Sequence, residues 1–373
     1  MAGDFDVAIV GLGAMGSAAA CHLARRGRRV LGLDRFTPPH ALGSSHGETR
    51  IIREAYFEHP LYVPLVQRAY TLWTELEELA ERELLRTTGG VMIGPAGGIL
   101  VEGARRSAEE HGLRHELLSA REVRRRFPAL SPSEAMVGVW EPRAGVLFPE
   151  ACIEAHLEVA RSFGATLVYG EPVIRWSPDG RGVRVVTPQG DYVAAQLLLT
   201  AGSWMRALAP EAGLPLTVTR QVLCWFAPAA TPEHFAPASC PIHLWEDLPG
   251  RFFYGFPDFG TGVKLAIHHE GRATDPDHVR REVGAGEVED LRRRFRRFMP
   301  AADGPLLRTA VCLYTNTPDE HFWIDRHPGH PQVLIASPCS GHGFKFASAI
   351  GEILADELTG KPTSFDLEPF RRR

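Results

Sequence analysis

Gly11, Gly13 and Gly16 stand in the pattern G-x-G-x-x-G, and Asp34 closes the apolar run that follows. That spacing suits one chemical task, the holding of a dinucleotide. Gly11 permits a sharp turn, Gly13 lets backbone approach a pyrophosphate, and Gly16 lets a helix lie close to a strand. Asp34 offers a carboxylate where a pair of ribose hydroxyls would sit. A second set of reactive types lies far along the chain. Lys264 and His268 alternate with apolar neighbours, as do Cys312 and Tyr314, and Ser340-Gly-His-Gly-Phe-Lys345 forms a second glycine-bearing turn. An ammonium, an imidazole, a thiol and a phenol together suit an active site. Lys264 and His268 taken alone also suit the wet side of a strand edge.

The elements that must position these groups follow from the apolar pattern. Val7, Ile9 and Val10 predict a strand, the residues up to Arg26 a helix ended by Gly27, and Val30 to Asp34 a second strand, which is a βαβ unit. The helix N-terminus then presents free N–H groups to phosphates. Arg35 to Arg53 is too polar to be core. Its Gly-Ser-Ser-His-Gly loop offers donors to a ligand, or forms a surface loop with one structural histidine, and Arg50 and Arg53 are placed one helical turn apart. Leu61 to Leu85 reads as a long amphipathic helix. Between Thr87 and Phe148 come short strands (Gly90 to Ile93, Met136 to Trp140), a helix over Ile99 to His111 and a capping box at Ser119. A helix from Glu150 to Phe163 and strands near Thr166 to Val168, Val183 to Val186 and Ala195 to Thr200 follow. The last of these stops at Ala201-Gly202, as a central strand does against a cofactor, or as an ordinary strand does at a glycine turn. Leu216 to Pro300 reads as antiparallel strands with one charged helix, Pro276 to Met299. Tyr254 and Phe256 share one strand face, Lys264 and His268 another, Cys312 and Tyr314 a third. After a strand at Gln332 to Ala336, the second glycine turn opens a helix from about Ala347 to Leu358, whose N-terminus favours negative charge.

At 373 residues, 44% hydrophobic and 23% charged, the chain suits two domains of a soluble globular protein. The fold class is α/β with an α+β second domain. A Rossmann-like dinucleotide-binding domain is expected from 1–79, 147–217 and 319–373, and a mixed or antiparallel sheet is expected to form a substrate domain from 80–146 and 218–318. A net charge of -4 gives no basic field for nucleic acid, and the clusters Arg124 to Arg126, Arg292 to Arg297 and Arg371 to Arg373 read as solvated faces or a tail. With no apolar run of membrane length and no signal peptide pattern, the cytoplasm is the expected address. Six scattered cysteines without a C-x-x-C pair argue against a zinc site or a disulfide framework. Of 41 basic residues only Lys264, Lys345 and Lys361 are lysine. A lysine kept in such a background suggests a need for a compact, adjustable charge.

With GLGAMG, SSHGETRIIR, YGFP, CLYTNTPDEHFWIDRHP and SGHGFKF in that order, the chain resembles the monomeric sarcosine oxidase and N-methyltryptophan oxidase family of flavoproteins over nearly its whole length. The resemblance implies FAD bound by Gly11, Gly13, Ala14, Met15, Gly16, Asp34 and Arg35, by Ser44, Ser45, His46 and Arg50, and by Val173, Gly202 and Trp204. It also implies FAD contacts from Gly341, Gly343, Phe344 and Lys345, and a covalent link from Cys312 to the flavin 8α-methyl carbon. A thiolate is the reactive form, so a cationic setting is expected there. Arg53 and Lys345 are implied to grip a substrate carboxylate, Tyr254, His268 and Tyr314 to line the pocket, and His46 and Arg50 to flank the flavin. Lys264 is implied to face the flavin from the other side, where a fixed ammonium stabilises the anion formed as oxygen accepts an electron.

The implied reaction is oxidation of sarcosine or a similar N-methyl amino acid, a small-molecule secondary amine, by a monomeric enzyme using O2 and releasing formaldehyde and hydrogen peroxide. Trp245 and Pro338-Cys339 depart from the family pattern and are expected to reshape the pocket. A bulkier N-methyl amino acid or a cyclic secondary amino acid is therefore the alternative substrate. A flavin dehydrogenase passing electrons to a carrier would share the βαβ unit but would not need Lys264. An NAD(P)-dependent dehydrogenase fits the first motif alone, and a non-catalytic nucleotide-binding module would leave the polar strand faces without a use.

Overall fold

The computed structural model describes residues 4–180 and 182–371; Arg372 and Arg373, of the C-terminal arginine cluster, lie outside the described residues. Two large sheets and one small one organise the chain. The first has eight strands, with Phe5–Val10 at its centre running parallel to Gly190–Leu199 on one side and Val30–Asp34 on the other. Thr166–Tyr169 extends it in parallel beyond Val30–Asp34, and His330–Ser337 pairs in parallel with Gly190–Leu199. Register brings the strand ends level: Val10 is paired with both Leu33 and Leu199, and Leu199 with Ile335. Gly11, Asp34, Thr200 and Ala336 therefore lie level at the strand ends along one edge, the crevice where an open parallel sheet takes ligands.

Helices Ala14–Arg25, Pro149–Ser162 and Ala347–Thr359, with Val63–Ala80 beside them, cover one face of this sheet through a single apolar core. Gly351 makes the closest crossing possible, since a Cβ there would stand 2.6 Å from the Ala18 backbone. Among the described residues no helix is long and apolar enough to cross a membrane.

The second sheet has nine strands. Thr217–Phe226 runs antiparallel to both Val263–His268 and Leu306–Asn316, and the sheet continues through Arg251–Gly255 and Ile242–Leu248 to Gly90–Pro95 and Met136–Glu141. The Ile242–Leu248 and Gly90–Pro95 pairing is parallel, which makes the sheet mixed. Helix Ala285–Phe295 packs on its outer face. The expected helix over Pro276 to Met299 is thus shorter. Gly284 caps it, with Glu287 reaching back to the Gly284 N–H at 2.9 Å, and Arg220 holds the irregular 276–284 stretch through the carbonyls of Arg280 and Glu282.

Two further expectations fail at Arg35 to Arg53. Arg50 and Arg53 are not a helical turn apart, because Arg50–Ile52 is a strand antiparallel to Gly145–Leu147 in the three-stranded sheet. Nor is the segment too polar for burial, since His46, Thr49 and Arg53 are buried. Partners explain it: Glu150 Oε1 accepts the N–H groups of Gly47 and Glu48 at 2.7 and 3.1 Å, and Lys264 satisfies carbonyls on the other side.

Candidate active site

A cavity of about 470 Å³ runs between the strand ends of the first sheet and the inner face of the second. At one end, Gly13 precedes the Ala14–Arg25 helix, whose first N–H groups carry no side-chain cap. A Cβ at Gly13 would meet nothing nearer than Ser45 Oγ at 4.0 Å, so this backbone stays open to the cavity. Gly11 and Gly16 are closed positions: a Cβ at Gly11 would stand 2.6 Å from the Thr200 carbonyl oxygen, and one at Gly16 would overlap the Gly11 carbonyl. Asp34 is held by the N–H groups of Leu12 and Phe36 at 2.7 and 2.8 Å, and those bonds oppose the burial that pushes its carboxyl up. Ala14, Met15, Arg35, Ser44, Val173, Gly202 and Trp204 line the same cavity.

At the other end, Arg50, Arg53, Tyr254, His268, Cys312, Tyr314, Gly341, Gly343, Phe344 and Lys345 share the wall. Strand alternation delivers them, with Tyr314 Oη 3.2 Å from His268 Nδ1 and hydrogen-bonded to Tyr254 in turn. Burial, then His269, His342, Lys345 and Arg53, push His268 well below the ordinary histidine range, so its imidazole is neutral. Arg53 and Lys345 sit together. Burial and then Arg53 push Lys345 down to about 7, with Glu58 opposing. Lys345 Nζ donates to Tyr56 Oη at 3.3 Å and to the His342 carbonyl at 2.8 Å. Among the described residues Arg53 Nε has no hydrogen-bond partner.

Cys312 Sγ donates to the Ser44 carbonyl at 3.3 Å, and Arg50 Nη2 lies 3.5 Å from the sulfur. Burial pushes the thiols of Cys21, Cys224 and Cys240 up to about 12, and that of Cys339 to about 11. Cys152 moves the same way. Those five suit inert thiols.

Three placements differ from expectation. Lys264 and His268 share a strand face but not a cavity: Lys264 lies behind the Gly47–Thr49 backbone and lines a smaller cavity of about 150 Å³. Its Nζ donates to Gly47 O, Thr49 O and Thr49 Oγ1 at 2.6, 2.9 and 3.0 Å. Burial and then Arg50 push its ammonium well below the lysine range, against Cys312, Glu150 and Glu48. His46 also stands behind the wall, pushed down to about 3 by burial and nearby cations, with Nε2 unpartnered. Trp245 does not touch the cavity. It is 0% exposed and stacks against Phe253 and Phe298 on the outer face, while its neighbour Leu244 faces inward. Pro338 and Cys339 do line the cavity.

Sequence reasoning also missed Glu58, Tyr56, Leu244, Phe252 and Glu171. For Glu58 a signal existed in the acid five residues past Arg53; Glu171 sits in an irregular stretch that gives none.

Fold and site define a flavin-dependent oxidoreductase, and the model for the family described as FAD dependent oxidoreductase matches residues 6–357. Within that class the chain belongs to the family of monomeric sarcosine oxidases and N-methyl-L-tryptophan oxidases. It is 46% identical to a monomeric sarcosine oxidase of Streptomyces avermitilis, over 96% of this chain and 95% of that one. An N-methyl-L-tryptophan oxidase of Salmonella heidelberg is 38% identical over 98% of both chains. Among solved structures, NikD, an amino acid oxidase of nikkomycin biosynthesis, superimposes with a TM-score of 0.86 at 25% identity, covering 99% of this chain and 97% of its own. FAD is the cofactor of this family, and the residues present fit it. The open backbone at Gly13, the uncapped helix and the pinned Asp34 carboxylate suit a pyrophosphate and a ribose.

Proposed function

We propose that this protein is a monomeric, FAD-dependent oxidase of secondary amino acids, acting at the N-methyl group of sarcosine or a similar N-methyl amino acid. The products are formaldehyde, the demethylated amino acid and hydrogen peroxide. One observation carries the reading: Arg53 and Lys345, two buried basic side chains, meet on a cavity wall that also presents Tyr254, Tyr314 and a neutral His268. FAD, which the backbone at Gly13 and the Asp34 carboxylate would hold, would supply the two-electron acceptor for a reaction in which O2 is the final oxidant.

The chain's own residues bind and orient the substrate. Arg53 and Lys345 take the substrate carboxylate by charge-assisted hydrogen bonds. Their charge lowers the pKa of the substrate ammonium, so its nitrogen gives up a proton without a strong base. Tyr254, Tyr314 and His268 offer polar atoms that carry no competing charge. Phe252, Phe256 and Leu244 exclude water beside them. Cys312 carries the covalent link to FAD, with Arg50 beside the sulfur. We assign 1–79, 147–217 and 319–373 to FAD binding and 80–146 and 218–318 to substrate binding.

The test is a visible spectrum of the purified protein, followed by anaerobic additions of sarcosine, N-methyltryptophan and pipecolate. A flavin spectrum bleached by an N-methyl amino acid, with formaldehyde and peroxide on admitting air, is expected. Flavin that none of the three bleaches would overturn the substrate class.

A further inference from the structure

Arg281 belongs to no motif and lies on the irregular stretch between Ala273 and Ala285. Its guanidinium nevertheless ties two distant segments together. Nη2 donates to the Leu42 carbonyl at 2.6 Å, and Nη1 donates to the carbonyls of Ala41 and Val311 at 3.3 and 3.1 Å. Val311 immediately precedes Cys312, while Ala41 and Leu42 lead into Ser44. The Ser44 carbonyl is the acceptor of both the Cys312 thiol, at 3.3 Å, and Arg50 Nη2, at 2.6 Å. Two arginines therefore fix the same short loop, Arg50 through Ser44 and Arg281 through Ala41 and Leu42. Among the described residues Arg281 makes no ion pair; the charged or ionisable groups around it are Cys312, Arg220, His40 and His46. A partly exposed arginine without a carboxylate, spent on three backbone oxygens, is a geometric device rather than a surface charge.

We infer that Arg281 is a positioning residue for the covalent attachment of FAD: it clamps the 41–44 loop onto the strand that carries Cys312, so that the sulfur is held at the cavity wall. The inference rests on the reading that Cys312 bears the link. Attachment replaces one C–H bond of the flavin 8α-methyl group and the S–H bond of Cys312 by a C–S bond. The two electrons and two protons released pass to O2, giving one hydrogen peroxide per link. A reaction between two fixed partners is sensitive to sub-ångström placement, whereas reversible binding of the dinucleotide along the far end of the cavity is not.

The experiment uses full-length protein prepared without flavin, then mixed with saturating FAD in air. Flavin retained in the acid precipitate is followed with time for the wild type, Arg281→Gln, Arg281→Lys and Cys312→Ser, and the Kd for FAD is measured separately. Arg281→Gln is expected to keep its FAD affinity and thermal stability and to attach flavin about ten- to a hundred-fold more slowly. Arg281→Lys, with donors for some of the three carbonyls, should recover part of that rate. Attachment by Arg281→Gln at the wild-type rate would overturn the clamp, as would slowing that merely follows a weakened Kd. Wild-type protein without acid-stable flavin, or Cys312→Ser protein with it, would instead overturn the reading of Cys312.

Discussion

Both carboxylate oxygens of Glu58 accept hydrogen bonds from Arg53 Nη2, at 2.6 and 2.9 Å. A carboxylate of the protein thus already sits on the cation proposed to bind a carboxylate of the substrate, and the two compete for its charge. Glu58→Gln removes the competitor's charge and should lower KM for the amino acid at about pH 6. Losing one partner of a buried pair costs roughly 3 kcal/mol, and Glu58 is 19% exposed, so thermal unfolding should show a smaller loss. Unchanged or raised KM would separate Arg53 from carboxylate binding.

Lys345 gives that site a pH dependence. Its folded pKa, pushed down to about 7 by burial and then by Arg53, leaves the ammonium charged below pH 7 and neutral above. Affinity for a carboxylate inhibitor lacking an amine should be highest below that pH and decline as pH rises through it. Lys345→Met should flatten the profile and weaken acid-side binding by roughly ten- to a hundred-fold, the worth of a charge-assisted hydrogen bond. Stability runs the other way. The unfolded chain, titrating near 10.5, binds the extra proton between about 7 and 10.5, so the cost of burying Lys345 is full below 7 and fades as pH rises. A pH-independent inhibitor constant in the wild type would remove Lys345 from the site.

Leu244 and Trp245 are sequence neighbours with opposite duties. Pairing of Ile242–Leu248 with Gly90–Pro95 turns Leu244 to the cavity and Trp245 into the outer core. Leu244→Ala should shift the kcat/KM ranking toward bulkier N-methyl amino acids with a modest stability loss. Trp245→Phe should leave the ranking alone, and Trp245→Ala should destabilise by about 3–5 kcal/mol. A changed ranking in Trp245→Phe would contradict the placement.

What the sequence discloses tracks how local each constraint is. Gly11, Gly13 and Gly16 announce themselves because turn, backbone approach and helix packing act within six residues. Strand alternation likewise puts Cys312 beside Tyr314 without knowledge of any partner. Trp245 was open to misreading because the phase of a strand is set by its neighbours in the sheet, and both faces here are apolar. Lys264 depends on carbonyls of Gly47 and Thr49, which lie more than two hundred positions away. Among the described residues Arg281 bonds only backbone oxygens, so no side-chain pattern marks it.

Gly13 and Gly16 should separate cofactor binding from folding. The Cβ of Gly13→Ala projects into open cavity, so the protein should fold with an unchanged Tm yet bind FAD far more weakly. Gly16→Ala drives a methyl group into the Gly11 carbonyl and should cost stability as well as FAD. Equal Tm losses in the two variants would mean that the space beside Gly13 is filled when the protein folds.

Lys264 shows how a buried charge can be structural and chemical together. Its three donors hold the Gly47–Thr49 segment, whose N–H groups rest on Glu150, so the ammonium is locked behind the wall rather than free to swing into the main cavity. Lys264→Met keeps the stem but leaves three buried acceptors unpaired, each worth about 1–3 kcal/mol in the worst case, so some loss of Tm is expected. If its charge serves the oxygen half of the reaction, stopped-flow traces should show reoxidation of the reduced enzyme slowed far more than its reduction by substrate. Fixed charge near a developing anion is worth several kcal/mol, whereas a displaced loop affects both steps. Equal slowing of the two half-reactions would assign Lys264 to holding the segment alone.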